Sequence, residues 1–303
     1  MVTDEYDVID DELIEDEDDL FDPDDLLGAK AVRNCIIAPD GYLLVGADMD
    51  QVEMRIIGAL AGEQSMIDAA FAGESQHEVT CLAMYGKPKG FDDWKSADPE
   101  KYKLAKVAGF CSVYGGGAKA ISEQARVPLE DAQRTSRLYR ESLPALTDYK
   151  NEITEHVLDQ AFNSRQKYVY KQLRKELWGV EDEKDRASIE SQIKRLCYGK
   201  VGSVTTPFGR TLYVDADRAY SGVNYIVQST ARDVLAIGLL RISRTKYAET
   251  LLMAVHDEAI GEAREDEAED VARCYGECLT QKFMGVPLTA SGEIYGKRWG
   301  SHY

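Results

Sequence analysis

Asp48 directly follows the apolar run Tyr42 to Ala47, and Asp257 with Glu258 follows a second one, Leu251 to Val255, 209 residues after Asp48. Carboxylates at the ends of neighbouring buried strands are costly unless paired, and a shared divalent cation is one common solution. Two aspartates bridging a pair of Mg²⁺ ions would activate an attacking hydroxyl and stabilise a leaving pyrophosphate. Ordinary salt bridges or exposed loop tips would explain the same residues, so the pattern alone leaves the chemistry open.

A third feature lies between Ser96 and Gly117. Asp98 suits an N-cap, Pro99 the first helical position, and Gly115-Gly116-Gly117 a helix end. Within this helix Lys106, Phe110 and Tyr114 recur every four residues and share one face, drifting by about 40° per step. A cation, an aromatic plane and a phenol in a row suit a nucleotide, with phosphate on the cation and base against the ring. A helix that packs both rings into a core while Lys106 snorkels gives the same spacing. The glycine run is not a phosphate loop of the Walker kind, because Ala118 stands where a glycine should precede Lys119.

The elements that must position these residues follow from pattern. Cys35 to Ala38 and Tyr42 to Ala47 read as short strands around a Pro39-Asp40-Gly41 turn, and Asp50 suits the cap of a helix from Gln51 to about Ala61. Residues 76–200 are rich in helix formers. Within them, residues 165–200 hold ten basic and six acidic side chains with little apolar periodicity, as in an inserted, exposed helical arm or a plain solvated face. Strand character returns at 203–206 and 210–214, on either side of Pro207-Phe208-Gly209. A helix from Asn224 to Ile242, a hairpin with His256-Asp257-Glu258 at its tip, and a helix from about Glu265 to Met284 complete the chain. Strands, then helices, then strands again indicate an α+β protein with a mostly helical region inserted into an antiparallel sheet domain.

The 303 residues suffice for one large or two modest domains, and no apolar run approaches the roughly 18 residues of a membrane span. The formal charge of −18 argues at face value against nucleic acid, yet fourteen acidic residues and no basic one fall between Asp4 and Asp25, leaving −4 for residues 26–303. Such a block of like charge is expected to be a disordered tail, either solvated or binding a partner. An acidic N-terminus is neither a secretory signal nor an Arg-rich transit peptide, so a cytoplasmic setting is expected, in a bacterium or a phage-infected cell. The six cysteines include no CxxC pair and read as inert thiols in preference to a zinc site.

Together these features resemble the motifs of family A (DNA polymerase I type) DNA polymerases. Asp48-Met49-Asp50-Gln51-Val52-Glu53-Met54-Arg55 resembles motif A, usually DYSQIELR; Lys106-x3-Phe110-x3-Tyr114-Gly115 resembles motif B; Val255-His256-Asp257-Glu258 resembles motif C. Gln76 to Thr80, Thr206 to Arg210 and Asn224-x3-Gln228-Ser229-Thr230-Ala231 fall in matching order, so the likeness covers about residues 33–300.

The resemblance implies a right-hand polymerase fold, with an acidic tail over 1–27, palm over 28–75 and 203–303, and fingers over 76–202 including an arm near 165–200. It implies that Asp48, Asp257 and the carbonyl of Met49 hold two Mg²⁺ ions, with Mn²⁺ able to substitute, and that Glu258 supports them. Lys106 and His77 would grip the triphosphate, with Lys103 nearby and Lys106 able to protonate pyrophosphate. Phe110 would pack against the incoming nucleotide, Tyr114 would guard the insertion site, and Glu53, beside Gln51, would close the sugar 2′ side. Arg210, Asn224, Gln228 and His256 would touch primer and template.

Three positions depart from the family pattern. Tyr102 stands where an Arg is usual, Met49-Asp50 where Tyr-Ser is usual, and Tyr220 where a basic residue is common, with Arg218 a candidate substitute. None removes a metal ligand. Residues 1–32 carry no primer-contacting segment of the TGRLSS…QNIP type, so the expected partners are primer-template DNA, dNTPs and a second polypeptide supplying thumb or exonuclease, and no membrane. Two other readings use the same residues: a polymerase-like subunit that holds DNA without synthesis, and a metal-dependent nuclease.

Overall fold

The structure, a computed structural model, describes residues 29–302 apart from 115 and 181. The acidic stretch read as a disordered tail lies outside them, as does Gly115. Helix α1 (Ala29–Asn34) comes first and packs on the 3₁₀ turn Trp299–His302. The strand expected over Cys35 to Ala38 is absent but for one bridge between Ile37 and Arg298. The amides of Cys35 and Ile36 instead bond back to Val32 and Arg33 at the end of α1, so they cannot join a ladder.

A turn at Gly41, in the left-handed region at φ 78°, feeds strand β1 (Tyr42–Met49). Helices α2 (Val52–Ala61), α3 (Gln64–Ala72), α4 (Gln76–Tyr85), α5 (Trp94–Ala97) and α6 (Pro99–Val113) follow. As expected, Asp98 caps α6 by accepting from the Lys101 amide at 3.1 Å, and Pro99 begins it. Next come α7 (Ala118–Ala125), α8 (Leu129–Ser142), α9 (Pro144–Ala161), α10 (Ser164–Gly179) and α11 (Glu183–Cys197). Strands β2 (Val201–Thr205) and β3 (Thr211–Asp215) pair as the predicted hairpin and lead through a 3₁₀ turn (Ala216–Ser221) into α12 (Gly222–Ile242).

Strands β4 (Leu251–Val255) and β5 (Glu258–Arg264) precede α13 (Ala268–Leu279), and β6 (Gln281–Phe283), β7 (Val286–Leu288) and β8 (Ala290–Gly296) end the chain. The helix expected to reach Met284 thus stops at Leu279. Met284 and Gly285 both take positive φ, 50° and 86°, and make the two-residue turn that pairs Phe283 with Val286.

The main sheet is antiparallel with strand order β4-β5-β1-β8, so β1 and β5 are central although most of the chain separates them. Chain distance is no obstacle when one apolar core binds both ends. Val45, Ala47 and Met49 of β1 join Met54 and Ile57 of α2, Ala105 and Ala108 of α6, Val227 and Val234 of α12, and Tyr275 of α13 in one buried cluster. At Gly292 on the edge strand β8 an added Cβ would lie 1.9 Å from the Ala272 carbonyl oxygen, so α13 can cross there only over a glycine. The arm has more core than its sequence suggests: Tyr170, Ile189, Ile193 and Cys197 are buried with Val157, Val204 and Val214 in a second cluster. The architecture is the expected α+β one, an antiparallel sheet with a large helical insertion.

Candidate active site

Asp48, next to last in the central strand β1, lies opposite Glu258, the first residue of β5. Val255 also pairs with Glu258, which leaves His256-Asp257 as a two-residue turn between β4 and β5. His256 carries the unusual backbone, with φ 56°, a cost tolerated where surrounding structure fixes the turn. The turn is tied to β1 because the Met49 amide donates to the Asp257 carbonyl at 3.3 Å. Asp48, Asp257 and Glu258 therefore converge at one end of the sheet.

Their mutual field is unfavourable. Although the Asp48 side chain reaches solvent, loss of hydration in the cleft and then the charges of Asp257, Glu258 and Asp50 push its pKa up to about 7. Burial raises Asp257 as well, against its own backbone amide and His256, with Glu258 adding to the rise. Glu53 is raised by burial and by Asp257. Such oxygen-rich, self-repelling surroundings fit a hard divalent cation. Among the described residues no three His, Cys, Asp or Glu side chains form a metal cage by themselves.

Asp50, a departure from the usual motif, caps nothing; Gln51 takes the N-cap position of α2 in a left-handed conformation. The Asp50 carboxylate instead accepts from the Thr289 hydroxyl at 2.7 Å, and its charge opposes the lowering that burial imposes on Arg55. Arg55, 5% exposed, donates to the Pro287 carbonyl at 3.1 Å. The additional acid is thus balanced by a buried cation. Gln51 ties α2 to α4, its amide donating to the Ser75 hydroxyl at 3.3 Å and accepting from the Gln76 amide at 2.8 Å.

Helix α6 forms the other wall. The ring planes of Phe110 and Tyr114 stack within 14° at 6.2 Å, and the exposed Lys106 ammonium lies 6.0 Å from the Phe110 ring. The Tyr114 hydroxyl donates to the carboxylate of Glu53 in the first turn of α2. His77, from α4, lies 5.2 Å from Phe110 and edge-on to Tyr102 at 6.4 Å. Tyr102, where the family usually has Arg, is thus absorbed in packing. His77 is 5% exposed, and burial, then Lys106, lowers its pKa to about 4, so at neutral pH it is an uncharged imidazole.

Between these walls lies a cleft of about 810 Å³. It gathers Gln51, Glu53, Phe110, Tyr114, Gln228, His256 and Asp257 from the three motifs and α12. His77 and Lys106 adjoin it through Phe110, and Asp48, Met49 and Glu258 through the Asp257 turn. The other three expected site residues neither line it nor adjoin it in this way. Lys103 is exposed on α6, Arg210 is paired with Asp233, and Asn224 sits one turn before Gln228 with its amide oxygen buried and unbonded among the described residues. Sequence reasoning missed Arg232, Leu235 and Leu239 of α12, which also line the cleft. Arg232 could have been found by carrying the four-residue spacing of Asn224 and Gln228 one step further.

A sheet that brings carboxylates from separate strand ends to a cleft walled by a Lys-Phe-Tyr helix defines the polymerase-domain class of fold. The chain belongs to DNA polymerase family A, whose model matches residues 26–301. It is 28% identical to the DNA polymerase of Mycobacterium phage D29 over 272 residues, covering 90% of this chain and 37% of that one. The DNA polymerase of Mycobacterium phage L5 is 29% identical, with 90% and 36% covered, and the thermostable DNA polymerase I of Thermus aquaticus 27%, with 88% and 28% covered. The chain thus spans little more than a third of the phage relatives it matches. In fold it is similar, with TM-score 0.65 and 21% identity over 90% of this chain and 43% of the other, to the POL domain of Pol1 from M. smegmatis solved in complex with DNA primer-template and dNTP. No helix among the described residues is long and apolar enough to cross a membrane.

Proposed function

We propose that the chain performs template-directed DNA synthesis, transferring a nucleotidyl group from a dNTP to a primer 3′ hydroxyl with release of pyrophosphate. The observation that carries this reading is the pairing of Asp48 with Glu258 beside the Asp257 turn, at the mouth of a cleft whose far wall presents Lys106, Phe110 and Tyr114. In this reading Asp48, Asp257 and the Met49 carbonyl hold two divalent ions, with Glu258 in support. Bound there, Mg²⁺ would lower the pKa of the attacking hydroxyl and neutralise charge on the leaving pyrophosphate.

The chain's own residues do the rest. Lys106, exposed on α6 with Lys103 one turn earlier, meets the triphosphate and can donate a proton to the leaving group. His77, neutral at pH 7, contributes an N–H donor and a ring behind Phe110, not a second charge. Phe110 packs against sugar and base, while Tyr114 and Glu53 bound the insertion site. Asn224, Gln228 and His256 face primer and template, and Arg210 fixes the β2–β3 hairpin to α12 through Asp233 before any DNA contact. Residues 28–75 and 203–303 are proposed as palm, and 76–202 as fingers. Primer-template DNA and dNTPs are the proposed partners, with a second polypeptide bearing a thumb or exonuclease as a further one.

Primer extension by the purified chain with Mg²⁺ tests the proposal, alone and with a candidate thumb-bearing chain, beside Asp257→Asn. Extension lost in the variant supports it. DNA binding without extension under every condition would leave only a DNA-holding subunit, and cleavage without pyrophosphate release would indicate a nuclease.

A further inference from the structure

Large aromatic side chains are uncommon on open surface unless something covers them. Tyr198 is 89% exposed, Tyr213 75% and Tyr220 41%. They fall in one continuous stretch, from the end of α11 through the β2–β3 hairpin to the 3₁₀ turn before α12. Strand alternation fixes the hairpin's two faces. Val204 and Val214 are buried inward, and a Cβ at Gly202 would meet Val157 of α9. Tyr213, paired with Ser203, therefore stands outward on a braced strand.

Cations accompany these rings. Lys194 and Arg195 lie four and three residues before Tyr198, in the last turn of α11, and Lys200 sits at the foot of the hairpin, where its carbonyl accepts from the Ala216 amide at 3.0 Å. Among the described residues none of the three makes a side-chain hydrogen bond or ion pair, whereas Lys167, Lys171 and Arg186, elsewhere on the arm, are all paired with acids. Glu190, one turn before Lys194 on α11, is taken up by Arg186, and Asp215 and Asp217 interrupt the basic surface. Exposed rings beside cations without fixed partners suit a strand whose unpaired bases stack while its phosphates are neutralised; a duplex, with its bases already stacked, has no use for the rings. Tyr220 lies four residues before Asn224 and eight before Gln228, which lines the cleft, so the chain leads from these rings toward it.

We propose that Tyr198, Tyr213 and Tyr220, with Lys194, Arg195 and Lys200, form a track for the single-stranded part of the template outside the cleft. The identity of the strand rests on the DNA-synthesis reading; the preference for unpaired DNA does not. Binding of a labelled oligothymidylate of about 16 nucleotides to the full chain carrying Asp257→Asn, without nucleotide or metal, tests it, so that absence of extension activity cannot be mistaken for failure of the track. Tyr198→Ala with Tyr213→Ala should weaken binding by about 10- to 100-fold with an unchanged unfolding midpoint. The same variant should bind a blunt duplex as the parent does. Lys194→Glu with Arg195→Glu should flatten the salt dependence of oligonucleotide binding. Unchanged oligonucleotide affinity in the double tyrosine variant, or an equal loss for duplex, would overturn the proposal.

Discussion

The Tyr114 hydroxyl donates to the Glu53 carboxylate, joining the C-terminal end of α6 to the first turn of α2 across 61 residues. Each residue was assigned from a different motif, and the bond makes them one unit. It holds the carboxylate at the side of the cleft proposed for the nucleotide sugar, and it fixes the phenol beside the space proposed for the insertion site. Burial and the charge of Asp257 raise the Glu53 pKa, so a donor there also offsets the cost of its ionised form.

Glu53→Ala should therefore raise ribonucleotide incorporation relative to dNTP by about tenfold or more, the size expected when one charge-assisted hydrogen bond of about 1.5–3 kcal/mol is removed. Tyr114→Phe should raise it less, by letting Glu53 move. If the pair acts as a unit, the double variant gains clearly less than the product of the two. Single-nucleotide insertion kinetics with matched ATP and dATP measure this, and independent effects would detach the bond from sugar selection.

The carboxylates give a stability prediction of definite sign. Asp48 holds its proton up to about pH 7 in the folded protein but only to its ordinary 3.8 when unfolded, so the metal-free fold loses stability as pH rises from 3.8 to about 7. Asp48→Asn should raise the metal-free unfolding midpoint at neutral pH by about 3 °C, on the basis that solvent screening leaves roughly 1 kcal/mol at this accessible side chain. Added Mg²⁺ should stabilise the parent and not the variant. A variant that melts below the parent in the absence of metal would show that the acids do not repel one another as described.

His77 has the opposite slope. Its pKa of about 4 lies below the ordinary 6.5, so the unfolded chain takes up the proton first and stability is lost as pH falls from 6.5 to about 4. The full effect is about 3 kcal/mol. His77→Leu should remove this segment of the pH dependence in urea titrations. A parent-minus-variant difference that stays flat across the window would contradict a buried neutral imidazole.

Much of this site could be read from local signals. Asp48 and Asp257 follow apolar strands, the Asp98-Pro99 start of α6 is a capping signal, and Lys106, Phe110 and Tyr114 are set by helical spacing. Long-range partners left no such trace. That Asp50 would meet Thr289, or that Tyr102 would lie against His77, depends on contacts between separate segments, which periodicity does not encode. Elements also failed where local hydrogen bonding competed. Cys35 and Ile36 are apolar enough for a strand, but α1 uses their amides, and the last helix stops where Met284-Gly285 favours a tight hairpin. The inner face of the arm escaped notice because its core residues are spread over α10, α11 and the β2–β3 hairpin, none of which carries a full apolar stripe.

Lys150 controls the end of the helix that carries Lys106 and Phe110. The last carbonyls of α6 need donors, as every helix end does. The Phe110 carbonyl accepts from the Tyr114 amide at 2.9 Å, the Cys111 carbonyl from the Gly116 amide at 2.6 Å, and the Ser112 carbonyl from the Lys150 ammonium of α9. A cation at this end also complements the helix dipole. Burial, then the nearby Arg140, lowers the Lys150 pKa to about 8, so the unfolded chain binds the extra proton between about 8 and 10.5 and stability rises with pH across that window. Lys150→Met should abolish that rise, worth about 3 kcal/mol at most, while leaving the Ser112 carbonyl without its donor. With the last turn of α6 loosened at Ser112, the KM for dNTP should increase by about fivefold, the effect of roughly 1 kcal/mol on ground-state grip, with kcat less affected. Lys150→Arg should restore most of the affinity, because it keeps a cation and a donor at the same carbonyl. Equal KM in all three proteins would show that the end of α6 is held without Lys150, and a fall in kcat alone would place its effect on a later step than nucleotide binding.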